Sequence, residues 1–169
     1  MATQIRGRTA KAHPTKAFFV NMLTRDITLA DCILDLIDNS VDAAWSQSGA
    51  SPTALGTGGE LADFEIEIEF SKEGFTIRDN CGGISLDTAA EYAFTFGRDN
   101  LEVADGYTVG VYGIGMKRAV FKLGNVVEIR STTDEESFAV PINVSQWLAN
   151  PEPAWDFDIA ESPLSLIHI

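Results

Sequence analysis

Ile33-Leu34-Asp35-Leu36-Ile37-Asp38-Asn39-Ser40-Val41-Asp42-Ala43-Ala44 is the stretch on which the chain's reading turns. Wound as a helix, it places Ile33, Leu36, Ile37, Val41 and Ala44 on one side and Asp35, Asp38, Asn39 and Asp42 on the other. Asp and Asn favour caps and turns, so a whole stripe of them in mid-helix runs against local propensity. Such a conflict marks either a functional face or the solvated side of an amphipathic helix, and this stretch alone leaves both readings open.

Working outward, the helix is expected to begin near Ile27 or Thr28 and to fade by Gly49. Ahead of it, residues 14–23 predict a short helix with Pro14 in its first turn. Residues 1–13 lack periodicity and read as a basic N-terminal arm, either a contact for an acidic partner or a solvated terminus. Residues 46–59, rich in Ser, Gly, Pro, Thr and Ala, predict a loop.

Downstream, residues 64–70 alternate strictly between apolar and acidic, which predicts a half-buried strand with one wet face. The turn Ser71-Lys72-Glu73-Gly74 returns the chain through residues 75–79, completing a hairpin that exits at Asp79-Asn80-Cys81-Gly82-Gly83-Ile84. Ser85 is expected to cap a helix running through Phe94. A Gly- and charge-rich segment then leads to Gly110-Val111-Tyr112-Gly113-Ile114-Gly115, followed by a helix over residues 116–123 that stops at Gly124. Residues 126–131 and 138–144 predict two more strands, and residues 155–159 the start of another. This order gives an α+β fold with helices on one face of a mixed, mainly antiparallel sheet.

Composition bounds the function. A chain of 169 residues, 45% hydrophobic and 22% charged, suits one soluble domain with its own core. No apolar run reaches the roughly 18–20 residues of a membrane span, and the N-terminus lacks a secretory signal's apolar core, so the expected location is cytoplasmic. Cys32 and Cys81 are read as free thiols. Of the net charge of −13, everything from Asp26 onward contributes −18, seven basic against 25 acidic residues. Such a body repels nucleic acid, yet a small anion such as a nucleotide still binds where backbone donors and a metal ion meet it.

The last six residues, Leu164-Ser165-Leu166-Ile167-His168-Ile169, follow no pattern set up before them and resemble a translated sequencing adapter. The expectation is a reading frame cut near Pro163, a domain over residues 14–163 that is incomplete at its C-terminus, and a non-native tail over 164–169.

Three clusters carry chemistry: the carboxylate-amide stripe, an Asp followed by two glycines at a strand end, and a Gly-x-x-Gly-x-Gly leading into a helix. Glycines let backbone N–H groups approach an anion, and the helix N-terminus adds partial positive charge. The glycine pattern is neither a Walker A loop nor, lacking a preceding strand, a dinucleotide fingerprint.

In this order the clusters resemble the GHKL ATPase superfamily, named for gyrase, the large heat-shock chaperone, histidine kinases and MutL, and most closely its MutL, MORC and chaperone branches. Residues 35–43 resemble the N box of those branches, residues 79–83 the Asp-x-Gly-x-Gly box, and residues 110–115 the lid-closing glycine box. The resemblance implies a two-layer α/β sandwich of the Bergerat type that binds ATP with Mg²⁺, hydrolyses it and acts as a nucleotide-driven conformational switch, with a nucleotide-dependent homodimer as partner. It implies Asp35 as general base, Asn39 as Mg²⁺ ligand and Asp79 as acceptor for the adenine amine. Gly83, Ile84, Asp42 and Ala43 would line the base pocket. Gly110, Val111, Gly113, Ile114, Gly115 and Met116 would cradle the phosphates, and Lys117 would help neutralise them. Lys117, Arg118 and Lys122 equally suit a solvated basic face of their helix.

Two departures qualify the resemblance. Asp35 stands where the family usually has Glu, shorter by one methylene, about 1–1.5 Å of reach. The expectation is that it activates water through a second water, hydrolyses slowly, or only helps organise the metal shell. Cys81 replaces the first glycine of the Asp-x-Gly-x-Gly box, with Gly82 and Gly83 beside it to supply backbone freedom. The family's later Gly-Thr strand and lysine-bearing second domain are not found after Val144. Two alternative functions stay open: a histidine-kinase-like phosphoryl transferase, disfavoured by Asp35 and Asp42, and a nucleotide-binding module that does not hydrolyse.

Overall fold

The structure is a computed structural model that describes residues 12, 14–49, 61–96, 114–150 and 155–163. The N-terminal arm apart from Ala12, the glycine box up to Gly113 and the tail over 164–169 lie outside the described residues.

Helix α1 (Lys16–Thr24) is opened by Thr15, whose hydroxyl accepts from Phe18 N–H. Helix α2 (Leu29–Ser48) carries the opening stretch. Thr28 and Asp31 form a reciprocal capping box at its start, and Gly49 closes it at φ 66°, a left-handed angle that glycine takes without a Cβ penalty. Strands β1 (Ile66–Phe70) and β2 (Phe75–Asp79) pair antiparallel, Ile68 opposite Ile77, with Glu65, Glu67 and Glu69 exposed as the alternation predicts. The chain before Ile66 makes a turn closed by Phe64 N–H to the Leu61 carbonyl, so the strand starts two residues later than expected.

Ser85 caps α3 (Leu86–Thr88) as expected, accepting from Thr88 N–H, but the helix then widens into a π-helical turn over Ala89–Ala93. Helix α4 (Gly115–Leu123) follows the undescribed glycine box and stops at Gly124. Strands β3 (Val126–Thr132) and β4 (Ser137–Asn143) pair antiparallel, and β5 (Ala160–Ser162) joins the first half of β4. Pro141 lies beyond the Ser137–Ala139 stretch that β5 pairs with, where a missing N–H costs no bond to that neighbour. The described strands thus form two antiparallel ladders, β1-β2 and β3-β4-β5.

Two expectations are corrected. Residues 155–159 are unpaired, and the pairing starts only at Ala160. Trp155 and Phe157 are committed instead to an aromatic cluster, Trp155 standing edge-on to Phe19 at 5.1 Å and to Trp147 at 5.6 Å. Val144 ends no strand but begins helix α5 (Val144–Ala149), whose N-cap Asn143 accepts from Gln146 N–H.

Helix α4 joins two cores. On one side Val120 packs with Ala89 of the π-helical turn and with Phe138, Val140, Ile142 and Val144, the inward positions of β4 and the start of α5. On the other, Ala119 meets Ile27 and the fully buried Cys32 of α2. Burial on both sides fixes α4 between the β3-β4-β5 sheet and α2. Helix α1 straps onto this body: Lys16, itself buried, donates to the Trp147 carbonyl at 3.1 Å with its ammonium 4.5 Å from that ring's centroid. Lys122 of α4 donates to the Thr24 carbonyl, at the C-terminal end of α1 where a cation is favoured.

Candidate functional site

Helix α2 is the spine of the site, because two of its side chains reach elements from distant parts of the chain. Asp35 accepts a 2.7 Å charge-assisted bond from the Arg118 guanidinium of α4 through Oδ2. Ser40, buried and five positions further on, donates its hydroxyl to Oδ2 of Asp79 at 2.7 Å, where β2 ends. At about 1.5 Å of rise per residue the two anchor points stand roughly 7.5 Å apart along the helix. Asn39 shares the Asp35 side of α2 and is exposed between them, followed by the half-buried Asp42 and Ala43.

At the β2 exit, Asp79 uses its other oxygen to accept from Cys81 N–H at 2.9 Å, so the carboxylate is held from two sides. Asn80 ties the exit back to β1, accepting from Glu65 N–H and donating to the Asp63 carbonyl. The two glycines that follow both have positive φ, 101° at Gly82 and 71° at Gly83. A Cβ on Gly83 would stand 2.4 Å from the Thr132 carbonyl oxygen, so the loop lies directly against β3. Ser131 of β3 pins it there, accepting from Ile84 N–H at 2.7 Å and donating to the Ile84 carbonyl at 2.8 Å. Cys81 takes an ordinary backbone angle and is buried; burial first, then the Asp79 charge, pushes its thiol up and keeps it protonated at neutral pH.

At the third corner, Ile114 precedes α4 without offering a side-chain cap, and its carbonyl accepts from Arg118 N–H. By helix geometry the first N–H groups of α4 have no carbonyl partner four residues back within the helix, the arrangement that suits an anion. Gly115, in this first turn, sits against α2: a Cβ there would lie 3.1 Å from both Cβ and Cγ of Asp35. Met116 is half-buried, whereas Lys117 is buried with its ammonium 5.9 Å from the Phe96 ring centroid.

The acidic stripe is electrostatically loaded. Burial first, and then the charges of Asp35 and Asp42, push the Asp38 carboxyl above the usual carboxylate range. Among the described residues no group of three or more His, Cys, Asp or Glu is placed to hold a metal ion by itself. One exposed amide oxygen among carboxylates fits a hard cation that takes most of its ligands from a polyphosphate and water.

A carboxylate-amide helix thus links an Asp-x-x-Gly-Gly strand exit to a helix N-terminus that follows a glycine box. Residues 27–159 match the family model for histidine kinase-, DNA gyrase B- and HSP90-like ATPases. The chain belongs to this GHKL family. The match runs from the approach to α2 as far as the segment before β5. No curated protein matches the chain as a relative. The α+β architecture with antiparallel ladders agrees with the GHKL fold, and membership implies ATP binding. No helix among the described residues is long and apolar enough to cross a membrane.

Asp35 and Asn39 stand on α2, Ser40 ties Asp79 to it and Gly115 packs against it, whereas Gly83 and Ile84 lie against β3, and Gly110, Val111 and Gly113 lie outside the described residues. The solvated-face reading of α4 does not hold: Lys117 is buried, and Arg118 and Lys122 bond to α2 and α1. Arg118, Ser40 and Ser131 are the contacts that motif reading passed over. Ser40 lies inside the quoted stretch and its type is a hint, but the other two have partners 83 and 47 residues away and no local signal.

Proposed function

We propose that this GHKL domain binds ATP with Mg²⁺ between α2, the β2 exit and the start of α4, and hydrolyses it. In this reading Asp79 accepts from the adenine amine, with Gly83, Ile84, Asp42 and Ala43 around the base. Asn39 supplies an amide oxygen to the Mg²⁺ shell, whose ion neutralises phosphate charge. The N–H groups at the start of α4, with the glycine box before it, receive the phosphates. Asp35 takes the proton of the attacking water. Nucleotide binding then drives a conformational change and pairing of two copies.

The observation that supports this reading most is the double tethering of α2, through Asp35 to α4 and through Ser40 to Asp79. It ties the β2 exit and the start of α4 to one helix, the kind of preorganisation that catalysis by positioning needs. A non-hydrolysing nucleotide switch is the second reading, favoured by the engagement of Asp35 Oδ2 with Arg118. Asp35→Asn separates the two. Hydrolysis by Asp35 predicts that phosphate release falls about 100-fold or more while ATP affinity is kept. Unchanged release would remove Asp35 as the base.

A further inference from the structure

We infer that Arg118 is the positioning residue that lets the short Asp35 side chain serve as the base, an inference that rests on the hydrolytic reading above. The first turn of α4 grips this carboxylate from two directions. Arg118 holds Oδ2 at 2.7 Å, and Gly115 brings the α4 backbone so close that any Cβ there would press on Asp35 Cβ and Cγ at 3.1 Å. Gly115 and Arg118 are three residues apart and so lie on one face of the helix. With Oδ2 occupied, Oδ1 receives no hydrogen bond among the described residues and is the oxygen left for a water molecule.

This grip answers the missing methylene. A shorter side chain cannot reach as far, and a Cβ at position 115 would push α4 and Asp35 apart by a few tenths of an ångström, so the glycine keeps the start of α4, where phosphates would gather, against the carboxylate. The guanidinium then removes the torsional freedom that remains. The pair is partly shielded, with side-chain exposures of 31% for Arg118 and 23% for Asp35, so it is less screened than a surface pair. In the reaction, Oδ1 takes a proton from water as the water oxygen bonds to the γ-phosphorus. The bond from that phosphorus to the bridging oxygen breaks, its electron pair leaves with ADP, and Asp35 later returns the proton to solvent. Arg118 acts only through Asp35.

The test is a double-mutant cycle on the full chain, reading kcat for phosphate release and the Kd for ATP in Asp35→Asn, Arg118→Ala and the double variant. Positioning predicts that Arg118→Ala lowers kcat by about 10- to 100-fold, the scale of a ~1 Å misplacement. It predicts ATP affinity within about twofold of the parent, and a double variant no slower than Asp35→Asn alone. Arg118→Lys, which keeps charge without the planar fork, recovers only part of the loss.

A parental kcat in Arg118→Ala, or a double variant slower than Asp35→Asn by the full Arg118→Ala factor, overturns the inference and leaves the hydrolytic reading standing. A parental kcat in Asp35→Asn overturns that reading instead, and the inference with it. Circular dichroism checks folding, and Arg118→Gln replaces Arg118→Ala if the latter unfolds. Unfolding of both while Asp35→Asn folds makes the pair structural and overturns the inference too.

Discussion

The Ser40 hydroxyl on α2 donates a 2.7 Å hydrogen bond to Oδ2 of Asp79, 39 residues further along the chain. That bond fixes which way the Asp79 carboxylate faces, since its other oxygen is already taken by Cys81 N–H.

Ser40→Ala should therefore cost both stability and nucleotide affinity. A hydrogen bond to a charged group contributes about 1.5–3 kcal/mol, and Ser40 is buried, so a loss of ~1–2 kcal/mol in denaturant titration is expected. ATP affinity should fall about 5- to 30-fold, the same range converted at ~1.4 kcal/mol per decade. Parental affinity in a folded Ser40→Ala protein would show that Asp79 is oriented without it.

Gly83→Ala tests the packing of the β2 exit against β3. A side chain at φ 71° is strained, and its Cβ would stand 2.4 Å from the Thr132 carbonyl oxygen, so the loop must move off the strand. A destabilisation of about 2–4 kcal/mol should appear as a drop in Tm of roughly 4–16 °C. Gly74→Ala, in open space at the hairpin turn, is the control expected to change Tm little.

The start of α2 should leave a mark on the acid limb of stability. Hydrogen bonds from Thr28, backbone N–H first and hydroxyl second, hold the Asp31 carboxyl below the usual carboxylate range. A depressed folded-state pKa means stability that is present above the unfolded value of about 3.9 and is lost as pH falls through the lower folded value. The Tm gap between the parent and Asp31→Asn should thus be widest near neutral pH and shrink below about pH 4. A gap independent of pH would contradict the capping box as its source.

Sequence period and chemistry foretold some elements well and were silent on others, for physical reasons. Helix α2 was readable because its apolar period, its Thr28 cap and its Gly49 stop agree, and β1-β2 because seven residues alternate without exception. Helix α5 was hidden because Val144 continues the apolar pattern of β4 with no breaker between them; only Asn143, as its cap, marks the change. Residues 155–159 look like a strand because aromatic and acidic residues alternate there, yet Trp155 and Phe157 serve a cluster instead of a ladder. At the site, residue types and order pointed to Asp35, Asn39 and Asp79, but the grip of Arg118 on Asp35 spans 83 residues and belongs to tertiary packing alone.

The most direct test of the account is calorimetric titration of ATP into the full chain, with Mg²⁺ or with EDTA, for the parent and for Asn39→Ala. The account predicts that the parent binds ATP more tightly with Mg²⁺, and that Asn39→Ala keeps the fold but loses the Mg²⁺-dependent gain. A folded parent that binds no ATP, or an Asn39→Ala variant with the parent's full Mg²⁺ dependence, would contradict it.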